Sequence, residues 1–242
     1  MIFTFWEGPM PAYIEMCLET WQDKFPFMVL NYDNLEAYTE YDIESAKRFT
    51  LPIQADAVRV HVLRDNGGYW LDADTIMLTD HLPDADILGD IWKGTNTIGY
   101  LRSEKNSRMF SEWAKHQDTI IAGEKSEYTP ENEWSVLGNT FTDRYIAKNN
   151  DVKIGSIQPC WPEVYMAKRV KNWDDTQWMC YQWFYFNTEY PLAGIRKTDM
   201  LMLHNSWTPP PYKDLTREQI LKNNSLGLSC TLSRIFQEVI KQ

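Results

Sequence analysis

LPIQADAVRVHVLRDNGGYWLDADTIMLTDHL, residues 51–82, decides how this chain is read. Pro52 suits the first turn of a helix, where its missing N–H leaves nothing unpaired and its φ is already set. From Ile53 to about Asp65 a helical stripe of Ile53, Ala57, Val60 and Leu63 or Arg64 can be drawn, and Asp56 and Arg59, three apart, neighbour each other on that helix. Asn66-Gly67-Gly68 ends it, because glycine accepts positive φ without steric cost and lets the chain reverse into Tyr69-Trp70-Leu71. The stretch therefore predicts a helix, a tight turn and a short strand that runs into Asp72-Ala73-Asp74.

Side chains alternate along a strand, so Asp72 and Asp74 project to one face and stand side by side at its end. Two adjacent carboxylates repel, and a divalent cation between them keeps both ionised; hard oxygen ligands suit Mn²⁺ or Mg²⁺ better than zinc. A bare Asp-x-Asp is more often a turn or a helix cap. Here the triplet is bracketed by apolar runs, with Thr75-Ile76-Met77-Leu78 following at once, and the preceding helix delivers Asp56 and Arg59 toward the same strand end.

The ordered set Pro52, Asp56, Arg59, Gly67, Gly68, Trp70, Asp72 and Asp74 resembles the DxD glycosyltransferases of bacterial capsule synthesis that carry a sugar-binding region. Yeast-type mannosyltransferases and glucosylating bacterial toxins are more distant relatives of that pattern. The family's usual Tyr or Phe is replaced by Trp70, which keeps the ring and loses the hydroxyl. The resemblance implies an α/β fold of the GT-A type, a single nucleotide-diphospho-sugar transferase domain over 1–242 with a mixed, mostly parallel sheet flanked by helices. Residues 1–100 would form the nucleotide-sugar-binding half, and 101–242 the acceptor side with a C-terminal helix. It further implies metal-dependent transfer of a hexose-type sugar from a nucleotide diphosphate donor, UDP first and GDP next, to a glycan or lipid-linked glycan, with retention. No protein nucleophile is agreed for such enzymes, so no catalytic base is assigned.

Site residues follow from that likeness. Asp72, Asp74 and Arg59 are the catalytic set. Arg59 either adds positive charge beside the leaving group or orients the sugar through Asp56, whose carboxylate accepts from sugar hydroxyls. Phe5 and Trp6 end the first strand where relatives pack an aromatic on the base, although core packing reads equally well there. Leu201-Met202-Leu203-His204-Asn205-Ser206-Trp207 is the second functional stretch: by likeness His204, or Asn205 in its place, is the third metal ligand, Ser206 donates to a phosphate and Trp207 covers the donor. The donor-binding set is thus Phe5, Trp6, Asp56, Arg59, Trp70, Asp72, Ser206 and Trp207. Relatives often carry a Gly-Pro pair on the acceptor side where this chain has Gly138-Asn139-Thr140, which leaves Glu133 and Asn139 as acceptor-side candidates.

With 242 residues, 43% of them hydrophobic, the chain suffices for one domain with a full core. A net charge of −10 argues against a nucleic-acid partner. Cys17, Cys160, Cys180 and Cys230 show neither zinc spacing nor a disulfide framework. No signal peptide is legible at the N-terminus and no apolar run approaches the roughly 18 residues of a membrane span, so a cytoplasmic protein with at most peripheral contact at the inner membrane face is expected.

Taken in order, Ile2 to Trp6 reads as the first, central strand, Pro11 to Gln22 as a helix carrying Ile14, Leu18 and Trp21, and Pro26 to Leu30 as a second strand, giving a parallel βαβ unit. Such units bind ligands at the carboxyl ends of their strands. Residues 35–50, acidic and weakly periodic, fit a surface helix or an active-site loop. Strands are expected at Ile87-Leu88, at Thr97 to Leu101 running antiparallel, and at Val152 to Ile157. Helices are expected at Asn106 to Ala122 with Ser107 as cap, Asn132 to Ala147, and Thr231 to Gln242. Lys168, Arg169 and Lys171 form the one compact basic run, read as a solvated face or an acceptor- or membrane-proximal surface.

Two other functions compete. Asp72-Ala73-Asp74-Thr75 also matches the D-x-D-x-T of aspartate-nucleophile phosphohydrolases, with Asp174-Asp175 as a later acidic pair, although that motif usually ends a first long apolar strand. A non-catalytic sugar-binding protein would use the eleven Trp and thirteen Tyr, yet has no use for Asp56, Arg59 and the triplet in register.

Overall fold

The computed structural model describes residues 1–90, 95–123, 135–157, 160–161, 173–186, 192, 195, 198–222 and 230–240. These residues group into two compact units, each drawn from three stretches of chain. The first comprises Met1–Gly8, Pro26–Asp72 and Pro83–Ile157; the second comprises Pro9–Phe25, Ala73–Leu82 and the described part of Gln158–Gln242.

The first unit is built on a six-stranded mixed sheet. Strand β1 (Ile2–Phe5) pairs in parallel with β2 (Phe27–Leu30) on one side and β3 (Gly68–Leu71) on the other. Beyond β3, the long β6 (Thr95–Ser103) runs antiparallel to it and to β5 (Ile87–Asp90), whose other edge pairs in parallel with β7 (Ile154–Ser156). The order is β2-β1-β3-β6-β5-β7, with three of the five pairings parallel, as the sequence led us to expect. Strand β1 lies second in this order and not at the centre, because β6 and its partners extend the sheet past β3.

Helix α2 (Leu51–Asn66) crosses β1, β3 and β6 and packs against α3 (Arg108–Ile121). The stripe Ile53, Ala57, Val60 and Leu63 is buried, and so are Val58, Arg59, His61 and Val62, which explains why α2 looks only weakly amphipathic: a helix covered on several sides needs no solvent face. Ser107 precedes α3 but does not cap it; its hydroxyl pairs with Ser103 Oγ at 2.9 Å. Helix α4 (Asn139–Ile146) is shorter than expected, since Ser135 to Gly138 form turns. Residues 35–50 hold two single-turn 3₁₀ helices, Leu35–Ala37 and Ile43–Ala46.

In the second unit, β4 (Thr75–Met77) and β8 (Met200–Met202) form a two-stranded antiparallel ribbon. Helix α1 (Ala12–Glu19) packs on β4. It stops before Trp21, which is buried in the following turns and donates its indole N–H to the Thr75 carbonyl at 2.7 Å. Helices α5 (Trp173–Phe186), α6 (Pro210–Lys213), α7 (Arg217–Lys222) and α8 (Thr231–Ile240) follow, with α8 packed on α1, α5 and α7 through a buried face of Leu232, Ile235 and Phe236. These pairings place α1 and Ala73–Leu82 in the second unit. No disulfide joins the four cysteines, and Cys17, Cys160 and Cys230 are buried. Among the described residues no helix is long and apolar enough to cross a membrane. Lys168, Arg169, Lys171, Glu133 and the side chains of Asp174 and Asp175 lie outside the described residues.

The reversal ahead of the triplet takes the form predicted. Gly67 closes α2 with a bond from its N–H to the Leu63 carbonyl at 2.9 Å, and Gly67 and Gly68 adopt φ of +67° and +95°. A Cβ on Gly68 would stand 2.6 Å from the Met1 carbonyl oxygen, so both conformation and space demand glycine. Gly68→Ala is expected to cost about 2 kcal/mol or more in urea unfolding; a loss within about 0.5 kcal/mol, the range of ordinary surface changes, would contradict this account of the turn.

Candidate functional site

In the first unit the candidate residues converge on Arg59. Its Nη2 lies 3.0 Å from Asp56 Oδ1 and 3.3 Å from Asp72 Oδ1, its Nη1 donates to the Ile98 carbonyl at 2.5 Å, and its Nε donates to the Ala55 carbonyl at 3.3 Å. The helix brings Asp56 to Arg59 by i,i+3 spacing. Strand β3 brings Asp72, whose N–H donates to the Gly99 carbonyl at 2.9 Å. Adjacent carbonyls of β6, Ile98 and Gly99, thus hold both members of the Arg59–Asp72 pair.

Trp70 lies beneath this pair. It is 1% exposed, its Nε1 donates to Asp72 Oδ1 at 2.9 Å, and the Arg59 guanidinium sits 5.2 Å from its ring centroid. Trp70 is buried, and Arg59 is 5% exposed, with its guanidinium meeting Asp56, Asp72 and two main-chain carbonyls. Phe5 is likewise a core residue, 5.8 Å from the Tyr32 ring, whereas Trp6 is half-buried just past the carboxyl end of β1, beside the strand that leads to Asp72.

Two carboxylates share one guanidinium here, and they differ in solvation: the Asp56 side chain is 13% exposed and that of Asp72 38%. Burial pushes the Asp56 carboxyl up to about 7; Arg59 opposes the rise and Asp72 adds to it.

In the second unit the candidates gather around Asp74. Pairing of Thr75 with Met202 sets Asp74 opposite the residues that follow β8. Asp74 is buried, its carbonyl accepts from Leu203 N–H at 3.0 Å, and its Oδ2 accepts from Asn205 N–H at 2.7 Å. The Tyr13 hydroxyl donates to Asn205 Oδ1. Burial and the Asp74 charge both raise the Tyr13 hydroxyl and the Cys17 thiol, keeping them neutral beside the carboxylate.

His204 opens a 3₁₀ turn, Asn205–Trp207, whose first bonds run from Trp207 N–H and Thr208 N–H to the His204 carbonyl at 2.9 and 3.1 Å. Part of the residue meets solvent, but its ring packs against Trp207 at 4.2 Å, Trp161 at 4.9 Å and Tyr181 at 5.3 Å between centroids. Burial lowers the imidazole to about 3 and keeps it in the neutral form that can ligate a metal. Ser206 is exposed and Trp207 half-buried.

The structure thus brings Asp56, Arg59, Trp70 and Asp72 together in one unit, and Asp74, His204, Asn205 and Trp207 in the other. The boundary between the units falls inside the Asp72-Ala73-Asp74 triplet. Among the described residues no group of three His, Cys, Asp or Glu forms a ready-made metal cage. The donor chemistry nevertheless fits a hard cation. Negative charge exceeds positive around Arg59, the hydrogen bond and ion pair of Asp72 both fall on Oδ1, and its carboxylate reaches solvent. Mg²⁺-type ions commonly take only one or two protein carboxylates and complete their shell with substrate phosphates and water. Sequence reasoning missed Tyr13, which looks like any aromatic on a helix, and Gln117, although a polar residue among Phe110, Trp113, Ala114 and Ile121 of α3 was a usable signal.

The Asp56–Arg59–Asp72 group stands at the carboxyl end of a parallel strand of a mixed α/β sheet, where open α/β sheets bind their ligands. The chain belongs to the capsular polysaccharide synthesis protein family, whose sequence profile matches residues 1–152. No curated protein matches it. Among solved structures it is similar to the glycosyltransferase GlyE of Streptococcus pneumoniae TIGR4, with 13% identity and a TM-score of 0.49 over 98% of this chain and 60% of that one. It is also similar to the galactosyltransferase LgtC, solved with donor and acceptor sugar analogs, with 12% identity and a TM-score of 0.47 over 100% of this chain and 95% of that one. PaToxG glycosyltransferase follows at 14% identity and a TM-score of 0.39, over 98% of this chain and 84% of that one. This chain spans 60% of the length of GlyE, and likenesses this distant assign no donor, acceptor or residue role.

Two pH-dependent outcomes follow. A carboxyl raised in the fold favours folding while protonated, so the Asp56 contribution is complete below the ordinary carboxylate value near 4, declines as pH rises, and is gone above about 7. The stability of wild type relative to Asp56→Asn is therefore expected to fall across that window in urea melts and to level off above it; a difference independent of pH would contradict the burial of Asp56. For His204 the depressed value predicts an imidazole NMR signal, assigned with His204→Gln, that does not move between about pH 5 and 8. A midpoint near the usual 6.5 would mean that the ring is solvated.

Proposed function

We propose that this chain is a metal-dependent GT-A-type glycosyltransferase that moves a hexose-type sugar, with retention, from a nucleotide diphosphate donor to a glycan or lipid-linked glycan. The donor is a UDP-sugar in the first instance and a GDP-sugar next, and the acceptor is met on the cytoplasmic side with at most peripheral membrane contact. The observation that carries the reading is the Asp56–Arg59–Asp72 bridge, built by the residues of the capsule-synthesis pattern inside the segment that matches the family.

Asp72 and Asp74 would hold Mn²⁺ or Mg²⁺ with His204 as a nitrogen ligand, and the bound cation would offset the charge that develops on the leaving diphosphate. Arg59 keeps Asp72 aimed, and Trp70 fixes the same carboxylate oxygen from below. Asp56 accepts a hydrogen bond from a sugar hydroxyl, a contact strengthened by its low-dielectric surroundings. The exposed Ser206 hydroxyl donates to a phosphate oxygen, Trp207 flanks the donor, and Trp6 offers its face to the base. Neutral His204 contributes no charge of its own, so the carboxylates set the charge of the ligand group.

The test is thermal stability against UDP and GDP with and without Mn²⁺, combined with turnover of the corresponding nucleotide sugars. A ligand at a hundredfold excess over its Kd stabilises by about 2.7 kcal/mol. The expected result is a metal-dependent rise with one nucleotide. Asp72→Ala and Asp74→Ala should abolish that rise and lower turnover by about a hundredfold or more while remaining folded. Wild-type behaviour in both variants would reject the assignment.

A further inference from the structure

The two residues ahead of α4 are fastened from α3. The Leu137 carbonyl accepts from Trp113 Nε1 at 2.8 Å and from Gln117 Nε2 at 2.6 Å, and the same Gln117 Nε2 donates to the main-chain carbonyl of Asp56 at 2.8 Å. One amide nitrogen, 0% exposed, therefore ties the Leu137–Gly138 turn to α2 at the residue whose carboxylate pairs with Arg59. Gln117 occupies the apolar stripe of α3, and its Oε1 is buried with no hydrogen-bond partner among the described residues. Leaving such an acceptor unpaired costs stability that Leu or Met at this position would avoid, so a packing role does not account for glutamine here.

Gly138 completes the arrangement. A Cβ built on it would stand 2.5 Å from Ile98 Cδ1 and 2.9 Å from Asp56 Oδ2, both closer than real Cβ contacts allow. The Asp56 carboxylate is thus set between Arg59 on its Oδ1 side and the bare Cα of Gly138 on its Oδ2 side. Ile98, whose side chain faces Gly138, also supplies the carbonyl that anchors Arg59. The register of α2, β6 and the turn before α4 meets at this one carboxylate.

We propose that Gln117 and Gly138 are positioning residues for Asp56, and that through it they set the preference for a nucleotide sugar over the bare nucleotide. The proposal rests on the glycosyltransferase reading above. Neither residue touches the donor; each fixes where the Asp56 oxygens stand, and a displaced carboxylate loses its hydrogen bond to the sugar without altering contacts to base or diphosphate.

The experiment compares Kd for a nucleotide diphosphate and for the nucleotide sugar of the same base, with Mn²⁺ present. Two variants are used. Gln117→Met removes both donated bonds with little change in volume. Gly138→Ala is made in an Ile98→Val background, which deletes the Cδ1 atom that the new methyl would meet and leaves Asp56 as its near neighbour. In each, the affinity for the nucleotide should stay within about twofold while the added affinity from the sugar falls by about tenfold or more, the worth of one hydrogen bond to a charged group. In an Asp56→Asn background neither change should reduce the sugar's contribution further, since coupled residues are not additive. Unchanged sugar preference in both folded variants overturns the positioning role while leaving the glycosyltransferase reading intact. A wild-type protein that binds nucleotide and nucleotide sugar equally, or neither, rejects that reading and this proposal with it.

Discussion

A buried guanidinium is the constraint on which the first unit depends. Arg59 cannot lose its proton, and taking it out of water is tolerable only if its donors are met. Two carboxylates and two main-chain carbonyls meet them: Ala55 and Asp56 from the preceding turn of α2, Asp72 from the end of β3 and Ile98 from β6. The requirement therefore fixes α2 against β6, the end of β3 against both, and the indole of Trp70 under the ion pair. Breaking a buried pair of this kind by removing one partner costs about 3–5 kcal/mol, because the charge left behind has no solvent.

The same constraint separates the roles of the two carboxylates. Asp56, the more buried, carries the desolvation and is held up near neutrality, while Asp72 keeps one oxygen for Arg59 and Trp70 and leaves its carboxylate facing water. Asp74, two residues on, is governed by different forces. Its place comes from the antiparallel pairing of β4 with β8 and from the Asn205 N–H, so an otherwise plain ribbon carries His204 and Trp207 to it. Ala73, buried between them, marks where the chain passes from one unit to the other.

Much of this was legible in the residues. The Pro52 start, the Asp56–Arg59 spacing, the Gly67-Gly68 reversal and the apolar strand before Asp72 are local features, and local features follow from dihedral preference and periodicity. Trp70 shows the limit. Its place in the motif was read from the sequence, yet whether its ring meets a ligand or supports a carboxylate depends on what covers it, and the neighbours that do so come from α2. Phe5 was left open between base contact and core for the same reason, and the Tyr32 ring accounts for its burial. Trp21 was assigned to a helix by periodicity, but the helix ends at Glu19 and the ring is held by a bond to Thr75, far away in sequence.

The sequence by itself determined the order of elements around the triplet, the first two strands and the pairing of acid and base on α2, because each rests on neighbours within a few residues. Only the tertiary structure decided that the chain divides into two units interleaved along the sequence, that Arg59 and Trp70 are buried, and that Gln117 and Gly138 converge on Asp56. Those outcomes depend on contacts between segments distant along the chain, and on which polar groups are cut off from water once the segments close over them. No local pattern carries that information, since desolvation belongs to the assembled fold.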